Sequence, residues 1–371
     1  MALLYSSRTG RGEAAWEKTF SECYPLAAQT KLEAVRSVLR KFGPDVIYFH
    51  SLPDLGVLGE LLDSPAPVVR RVHDHRMYCM RGGKYNYFTR AVCRRPASWR
   101  CVFPCLASIG RNPDGLAPFK WVSYQAKKRE IELNRKCDCL LVYSKFQKEE
   151  LARNGFDPAK IEVRVPVPES RGIGPASSFD ERNLVLFVGQ VIRGKGVDLL
   201  LRSLARVGVP FQAAILGDGN HRPYCQRLCA RLGLGDRVKF HGFLAREELK
   251  HFYQEASLLA VSSVWPEPFG LVGREAMCHG LPVVAFDAGG IREWLFDGEN
   301  GFLVPWKDTH CFAERIEQLL RDKELARQLG RRGRELVSQQ QEASRQICPV
   351  EQVLLRAAQK RDHKTQNAYE T

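Results

Sequence analysis

The chain has 371 residues, 44% of them hydrophobic and 26% charged; this balance excludes a disordered or fibrous protein and, at roughly 100–200 residues per domain, gives two globular domains. Lys and Arg outnumber Asp and Glu by 56 to 42, a formal charge of +14, and the excess is uneven: from Arg70 to Lys136 sixteen basic residues stand against four acidic ones. No run approaches the roughly 18–20 apolar residues of a membrane-spanning helix, and the apolar start Met1–Tyr5 is too short for a signal-peptide core. The expected location is the cytosol, with a peripheral place at the inner face of a membrane left open by the basic stretch.

In the first half, Leu32–Lys41 reads as a helix and Asp45–Phe49 and Val68–Val72 as buried strands. An insertion at about 73–120 follows, opening on His73-Asp74-His75 and carrying much of the basic charge. As a bare motif, His73 and His75 could be a metal pair or polar loop residues. Cys79, Cys93, Cys101 and Cys105 fall in this insertion, and four thiols can close a tetrahedral site. Only Cys101 and Cys105 have close ligand spacing, so two readings stand: a structural zinc or iron–sulfur site, or reduced structural thiols. Twelve cysteines without an export signal argue for thiols or metal before a disulfide framework. Cys139–Tyr143 is the next strand, Phe146–Asn154 the next helix, and Glu169–Arg182 the expected linker.

The second half alternates regularly. Strands are expected at Leu184–Val188, Phe211–Leu216, Val238–Phe240, Leu258–Val261, Pro282–Ala285 and Gly301–Val304. Between them Val197–Val207, Pro223–Leu232, Arg246–Glu255 and Leu271–His279 carry apolar residues at helical spacing, and Phe312–Arg321 and Lys323–Ser338 follow. Alternating βαβα implies a parallel sheet covered on both faces, with ligands at the carboxyl ends of its strands. The expected division is a first Rossmann-like domain at 1–168, the linker at 169–182, a second Rossmann-like domain at 183–338, and a helix and tail at 339–371.

One run carries the most chemistry. Glu267-Pro268-Phe269-Gly270-Leu271-Val272-Gly273-Arg274-Glu275 places a carboxylate on a loop, free amides of Gly270, Leu271 and Val272 at a helix start, and a second carboxylate along that helix. Helix-start amides suit a diphosphate. Two flanking carboxylates can each hold vicinal hydroxyls, one pair on a ribose and one on a sugar.

With this run belong Phe187-Val188-Gly189 leading to Lys195-Gly196, Leu216-Gly217-Asp218-Gly219, His241-Gly242-Phe243 with Glu247-Glu248-Leu249, and Glu293 with Gly298 and Gly301–Val304. In this order they resemble the nucleotide-binding domain of the retaining glycosyltransferases of family 4, glycosyl transferases group 1, over about Leu184–Val337. The resemblance implies a GT-B fold, two Rossmann-like domains facing across a cleft. It also implies a nucleoside diphosphate sugar donor, UDP- or GDP-linked. Glu275 would bind the ribose and Glu267 the donor sugar, while Lys195 and Arg193 would face the diphosphate. Gly217, Gly242, Phe243, Phe269, Gly270, Leu271 and Val272 would line the donor site. Gln190 stands where the family usually has arginine. In the first half Val68–His75 and Tyr143–Phe146 match too, placing His73 beside the donor sugar as a catalytic group with Glu267 and Lys195 and leaving His75 unassigned.

The family's mechanism is front-face displacement, in which the leaving diphosphate takes the acceptor's proton and no cofactor is required; the chain has no Asp-x-Asp motif. The expected reaction moves a hexose to a glycan or lipid-linked acceptor of the cell-envelope type, with the basic stretch docking on anionic lipid. A nucleic-acid partner is not expected, because no binding motif accompanies the charge. Only 43 residues precede Pro44, so the first domain is expected to be shortened at its start. The alternative is a catalytically weak or inactive sugar-nucleotide-binding relative.

Overall fold

A computed structural model describes residues 1–5, 18–25, 31–86, 88–111, 119–165, 177, 179, 183–345 and 350–359. Most of the expected linker and the tail beyond 359 lie outside these residues.

The N-terminal domain begins with two short strands, β1 (Ala2–Tyr5) and β2 (Glu22–Pro25), paired in parallel. Both precede Pro44, so the expected shortening is corrected to this extent: two opening strands are present. Residues 6–17, between them, lie outside the described residues. Then come α1 (Lys31–Phe42), β3 (Ile47–Phe49), α2 (Leu55–Leu62) and β4 (Val68–Arg71). The insertion holds the small antiparallel pair β5 (Ile109–Arg111) and β6 (Phe119–Trp121). After it, α3 (Tyr124–Arg135), β7 (Cys139–Val142), α4 (Lys145–Arg153) and β8 (Ile161–Val163) complete a four-stranded parallel sheet in the order β3-β4-β7-β8.

The C-terminal domain contains β9 (Leu184–Val188), α5 (Val197–Leu204), β10 (Gln212–Leu216), α6 (Arg222–Arg231), β11 (Val238–Gly242), α7 (Arg246–Glu255), β12 (Leu258–Val261), α8 (Leu271–Cys278), β13 (Val283–Phe286), β14 (Gly301–Val304), α9 (Thr309–Arg321) and α10 (Lys323–Arg345). Its sheet is six-stranded, in the order β11-β10-β9-β12-β13-β14, with every pairing parallel. Side chains alternate between two cores. Val185 and Phe187 of β9 join one hydrophobic cluster with α5, α6 and α9, whereas Leu184 and Leu186 join another with α8. Burial on both faces is why β9 reads as an unbroken apolar run.

A last helix, α11 (350–359), returns to the first domain. Val353 and Ala357 pack on Val69, Cys139 and Leu141 of its sheet, and Arg356 bonds Glu162 at 2.7 Å. The carboxyl-terminal segment expected at 339–371 therefore divides: α10 runs to Arg345, and α11 belongs with the N-terminal core.

Candidate active site

Taken in chain order from β9, the C-terminal sheet runs 3-2-1-4-5-6, and its order reverses between β9 and β12. In an open α/β sheet the ligand crevice falls at such a switch point, here beyond the carboxyl ends of these two strands. The segment after β9 forms a 3-10 turn, Arg193–Lys195, leading to Gly196 at the start of α5. The segment after β12 runs from Ser262 to Gly270 and enters α8. Two glycines let the backbones approach. A Cβ on Gly196 would stand 2.0 Å from the Ser262 carbonyl oxygen, and one on Gly217 2.0 Å from that of Gly189, each at positive φ.

Across the crevice Lys195 Nζ donates to Glu267 Oε1 at 2.6 Å, and the Ser263 hydroxyl donates to the same oxygen. The ammonium also lies 5.0 Å from the centre of the Trp265 ring. Glu267 is 4% exposed. Burial works to raise its carboxyl pKa, but Lys195 and Ser263 outweigh it and hold the group below the ordinary carboxylate value. An ammonium carries three donors, so Lys195 can hold Glu267 and still present N–H toward a diphosphate.

Glu275 sits eight residues on, exposed on α8, with the Tyr253 hydroxyl 3.4 Å from its Oε2. Gly270, in the left-handed conformation, opens the helix, so the amides of Leu271 and Val272 fall in its first turn. Tight packing fixes that turn. The Trp294 ring lies on Gly273, where a Cβ would meet it at 2.0 Å, and its Nε1 donates to the Phe269 carbonyl. Phe269 itself is 2% exposed and packs in the core, so its side chain does not line the crevice. Gly217, just past β10, and Gly242, the last residue of β11, are joined by an amide-to-carbonyl bond of 2.7 Å, and Phe243 next to them is exposed.

The N-terminal domain faces this crevice with the ends of β3, β4 and β7. His73 bonds His50 through Nε2 at 2.7 Å and the Tyr143 hydroxyl through Nδ1 at 2.6 Å. Both ring nitrogens are thus engaged, so a contact with donor sugar through either requires one partner to be exchanged. Burial lowers the pKa of both imidazoles, and the nearby Arg71 guanidinium adds to it. His75, which the motif left open, is fully buried with Nε2 2.6 Å from the Pro266 carbonyl oxygen. The Ser144 hydroxyl donates to the Pro268 carbonyl. Glu293, on the other domain, accepts from the amides of Lys145 and Phe146 at 2.8 and 2.7 Å, capping α4.

Part of the charge of the basic insertion is paired inside the fold. Lys84, 2% exposed, pairs with Glu150 of α4 at 3.0 Å. Arg81 donates to the carbonyls of Cys105 and Leu106. Beyond them a turn spanned by the Tyr85–Val92 bridge reaches the C-terminal domain. There Arg90 pairs with Asp198 of α5 at 2.9 Å, Arg193 donates to the Phe88 carbonyl, and Lys307 to that of Thr89. Burial would raise the Asp198 carboxyl, but His221 and Arg90 bring it below the ordinary value. The charge at Arg193 is therefore part of a contact between domains as well as a candidate diphosphate ligand. Cys79, Cys93, Cys101 and Cys105 are partly buried free thiols. Among the described residues no three Cys, His, Asp or Glu gather closely enough to hold a metal ion.

Two Rossmann-like domains whose carboxyl strand ends meet around a Lys–Glu pair and a helix start define a GT-B type protein. The glycosyltransferase family 4 profile matches residues 15–164, and the glycosyl transferases group 1 profile matches 174–336. The chain belongs to the group 1, family 4 glycosyltransferases.

An uncharacterised glycosyltransferase of Methanocaldococcus jannaschii is 32% identical over 190 residues, 50% of this chain and 48% of that protein. The lipopolysaccharide core biosynthesis glycosyltransferase LpsE of Rhizobium meliloti is 31% identical over 210 residues, 54% and 59% of the two chains. The chain thus spans about half the length of the curated relatives it matches. Among solved structures, Anabaena HepE in complex with UDP superposes with a TM-score of 0.67 at 19% identity, over 91% of this chain and 87% of that one. HepE with UDP-glucose gives 0.66 at 18%, over 99% of each chain. Both support the fold.

Proposed function

We propose that this protein is a retaining glycosyltransferase moving a hexose from a nucleoside diphosphate sugar, UDP- or GDP-linked, to a glycan or lipid-linked acceptor of the cell envelope. The observation that carries the reading is the Lys195–Glu267 pair across the switch point, with Glu275 on the adjoining helix. Glu275 takes the ribose hydroxyls, the Leu271 and Val272 amides the diphosphate, and Glu267 the sugar hydroxyls. Glu267 is a poor nucleophile, since one of its oxygens already accepts from both Lys195 and Ser263. Displacement is instead front-face: the bond from the anomeric carbon to the diphosphate breaks, the acceptor oxygen bonds on the same face, and its proton passes to the departing diphosphate oxygen. Lys195, Arg193 and the helix amides meet the charge developing there. No cofactor enters this step. UDP in the HepE complex and the envelope role in LpsE's name favour this donor and acceptor class.

A peripheral place at an anionic membrane fits one part of the insertion. Trp99, Phe103 and Trp121 are 64%, 67% and 73% exposed, with Arg94, Arg95 and Arg100 exposed nearby in sequence. Aromatic rings beside arginines suit the headgroup layer. Cosedimentation with phosphatidylglycerol vesicles, lost at high salt or on replacing the three rings by serine, tests it; equal binding by the variant overturns it.

The enzymatic reading is tested with a thermal-shift panel of UDP, GDP and their hexose conjugates, followed by assays of donor hydrolysis and transfer. A bound sugar nucleotide and turnover abolished in Glu275→Ala are expected. No nucleotide binding overturns the reading, and binding without turnover replaces it with the inactive, sugar-nucleotide-binding relative.

A further inference from the structure

The Glu267 carboxylate is held by its own domain through Lys195 and Ser263, and its own amide and carbonyl bond Ala288 and Gly290 there at 3.3 and 2.8 Å, but the two prolines that flank it are held by the other domain. The carbonyl before it, of Pro266, accepts from His75, and the carbonyl after it, of Pro268, accepts from Ser144. Both donors are fully buried. They come from the carboxyl ends of two neighbouring strands of the N-terminal sheet, β4 and β7.

The chemistry at His75 leaves one arrangement. A carbonyl oxygen only accepts, so the ring nitrogen 2.6 Å from Pro266 must carry hydrogen; this assigns the Nε2–H tautomer from its partners. Nδ1 is then an acceptor, and the Tyr78 hydroxyl 2.6 Å away donates to it. Tyr78 is itself 1% exposed. The Trp265 and Phe146 rings stand edge-on to the imidazole from the two domains and leave it little room to turn. Burial lowers the pKa of His75, which keeps the ring in this neutral form.

We propose that His75 and Ser144 are positioning residues that set the Glu267 carboxylate from the opposite domain, so that the sugar end of the donor site is complete only when the domains meet. The nucleotide end lies wholly on the C-terminal domain and does not depend on them. This rests on the donor-site reading above. It converts closure of the two domains into a requirement for recognising the sugar, and so protects the donor from hydrolysis in the open form.

The test is calorimetry with UDP and UDP-glucose, or GDP and GDP-mannose, on wild type, His75→Ala, His75→Gln and Tyr78→Phe, with turnover measured alongside. In His75→Ala the affinity for the nucleoside diphosphate stays within twofold, the extra affinity of the sugar nucleotide falls at least tenfold, and kcat drops 30- to 100-fold. His75→Gln, whose amide nitrogen falls near the Nε2 position, recovers most of both. Tyr78→Phe removes the donor that fixes the tautomer and falls between them. An unchanged ratio and kcat in His75→Ala overturn the proposal, and so does failure of His75→Gln to exceed His75→Ala, which would mean that the ring acts by volume alone. If His75→Ala does not fold, the glutamine and phenylalanine variants decide by the same ratio. Absence of nucleotide binding in wild type overturns the donor-site reading itself and is a different result from these.

Discussion

On the C-terminal wall of the cleft the polar groups are charged and paired: Lys195 with Glu267, and Asp198 with Arg90. On the N-terminal wall, with the Arg71 guanidinium 4.7 Å from the centre of the Tyr143 ring, they are mostly neutral rings, His50, His73 and Tyr143 in one chain and His75 with Tyr78 in another. A charged wall is suited to a diphosphate, whose charge grows as the sugar leaves. A wall made mostly of uncharged donors and acceptors is suited to shape and alignment. Sharing the site in this way leaves charge stabilisation with one domain and geometry with the other.

The largest effect is expected on the charged wall. Lys195→Ala removes the cation beside Glu267 that, on the proposed mechanism, meets the leaving group, so turnover should fall about 10²–10³-fold. Leaving a buried carboxylate unpaired should also cost about 2–3 kcal/mol of stability, less than for a fully buried pair because Lys195 is partly exposed. The double variant Lys195→Met with Glu267→Gln should regain stability but not turnover. Recovery of both would remove this pair from the chemistry. Steady-state assays and denaturant titration read the two quantities separately.

Next is the contact that ties the insertion to the charged wall. Arg90→Ala leaves Asp198 buried beside the His221 imidazole, 3.7 Å away, and without its guanidinium partner, and a loss on the order of 2–3 kcal/mol follows. A double-mutant cycle with Asp198→Asn should show coupling of about 1–3 kcal/mol. Strict additivity in that cycle would mean that the insertion does not brace Lys195 through α5.

The neutral wall is addressed by pH. His50, His73 and His75 have pKa values lowered from 6.5 by burial, so the unfolded chain binds protons more readily than the folded one. Their contribution to stability is fully present above about pH 6.5 and is lost as pH falls from there through the lowered values. Wild-type Tm should drop between pH 7 and 5, and His73→Gln should drop less steeply. Equal slopes would show that these rings do not titrate with folding. The paired carboxylates Glu267 and Asp198, lowered instead, lose their contribution at lower pH.

The C-terminal wall was also the more legible. Its strands are apolar on both faces, so β9, β12 and β14 fall on the runs that mark them, and the Glu267–Glu275 spacing locates the helix start between the carboxylates. The N-terminal wall is built from contacts with no periodic signal. α3 is mostly exposed and buries only Ile131 and Asn134, so its apolar stripe is too thin to read. The insertion folds through side-chain bonds to carbonyls, as from Arg81 to Cys105 and from Lys84 to Arg95, and a carbonyl acceptor leaves no mark on residue type. For the same reason His75 and Ser144 could be seen in the motifs His73-Asp74-His75 and Tyr143-Ser144 while their partners, the backbone of Pro266 and Pro268, could not. The basic charge was visible but its disposition was not, since pairing Lys84 with Glu150 and Arg90 with Asp198 requires the folded chain.

The smallest effect concerns Glu293, a carboxylate that joins the walls without entering the site. It accepts from the amides of Lys145 and Phe146 at the start of α4, where Ser144 also bonds the amide of Gln147 at 3.0 Å. Helix-start amides lack partners within the helix, and a carboxylate there gains from both hydrogen bonding and the helix dipole. Because the cap comes from the other domain, its loss should weaken closure as well as α4. Glu293→Gln keeps one acceptor and removes the charge, so a loss of about 0.5–1 kcal/mol is expected, and Glu293→Ala should lose about 1–2 kcal/mol. Since neither change touches Lys195 or Glu267, nucleotide affinity should hold while affinity for the sugar nucleotide falls slightly. A Glu293→Ala protein as stable as wild type would mean that this cap adds nothing to the contact between the domains.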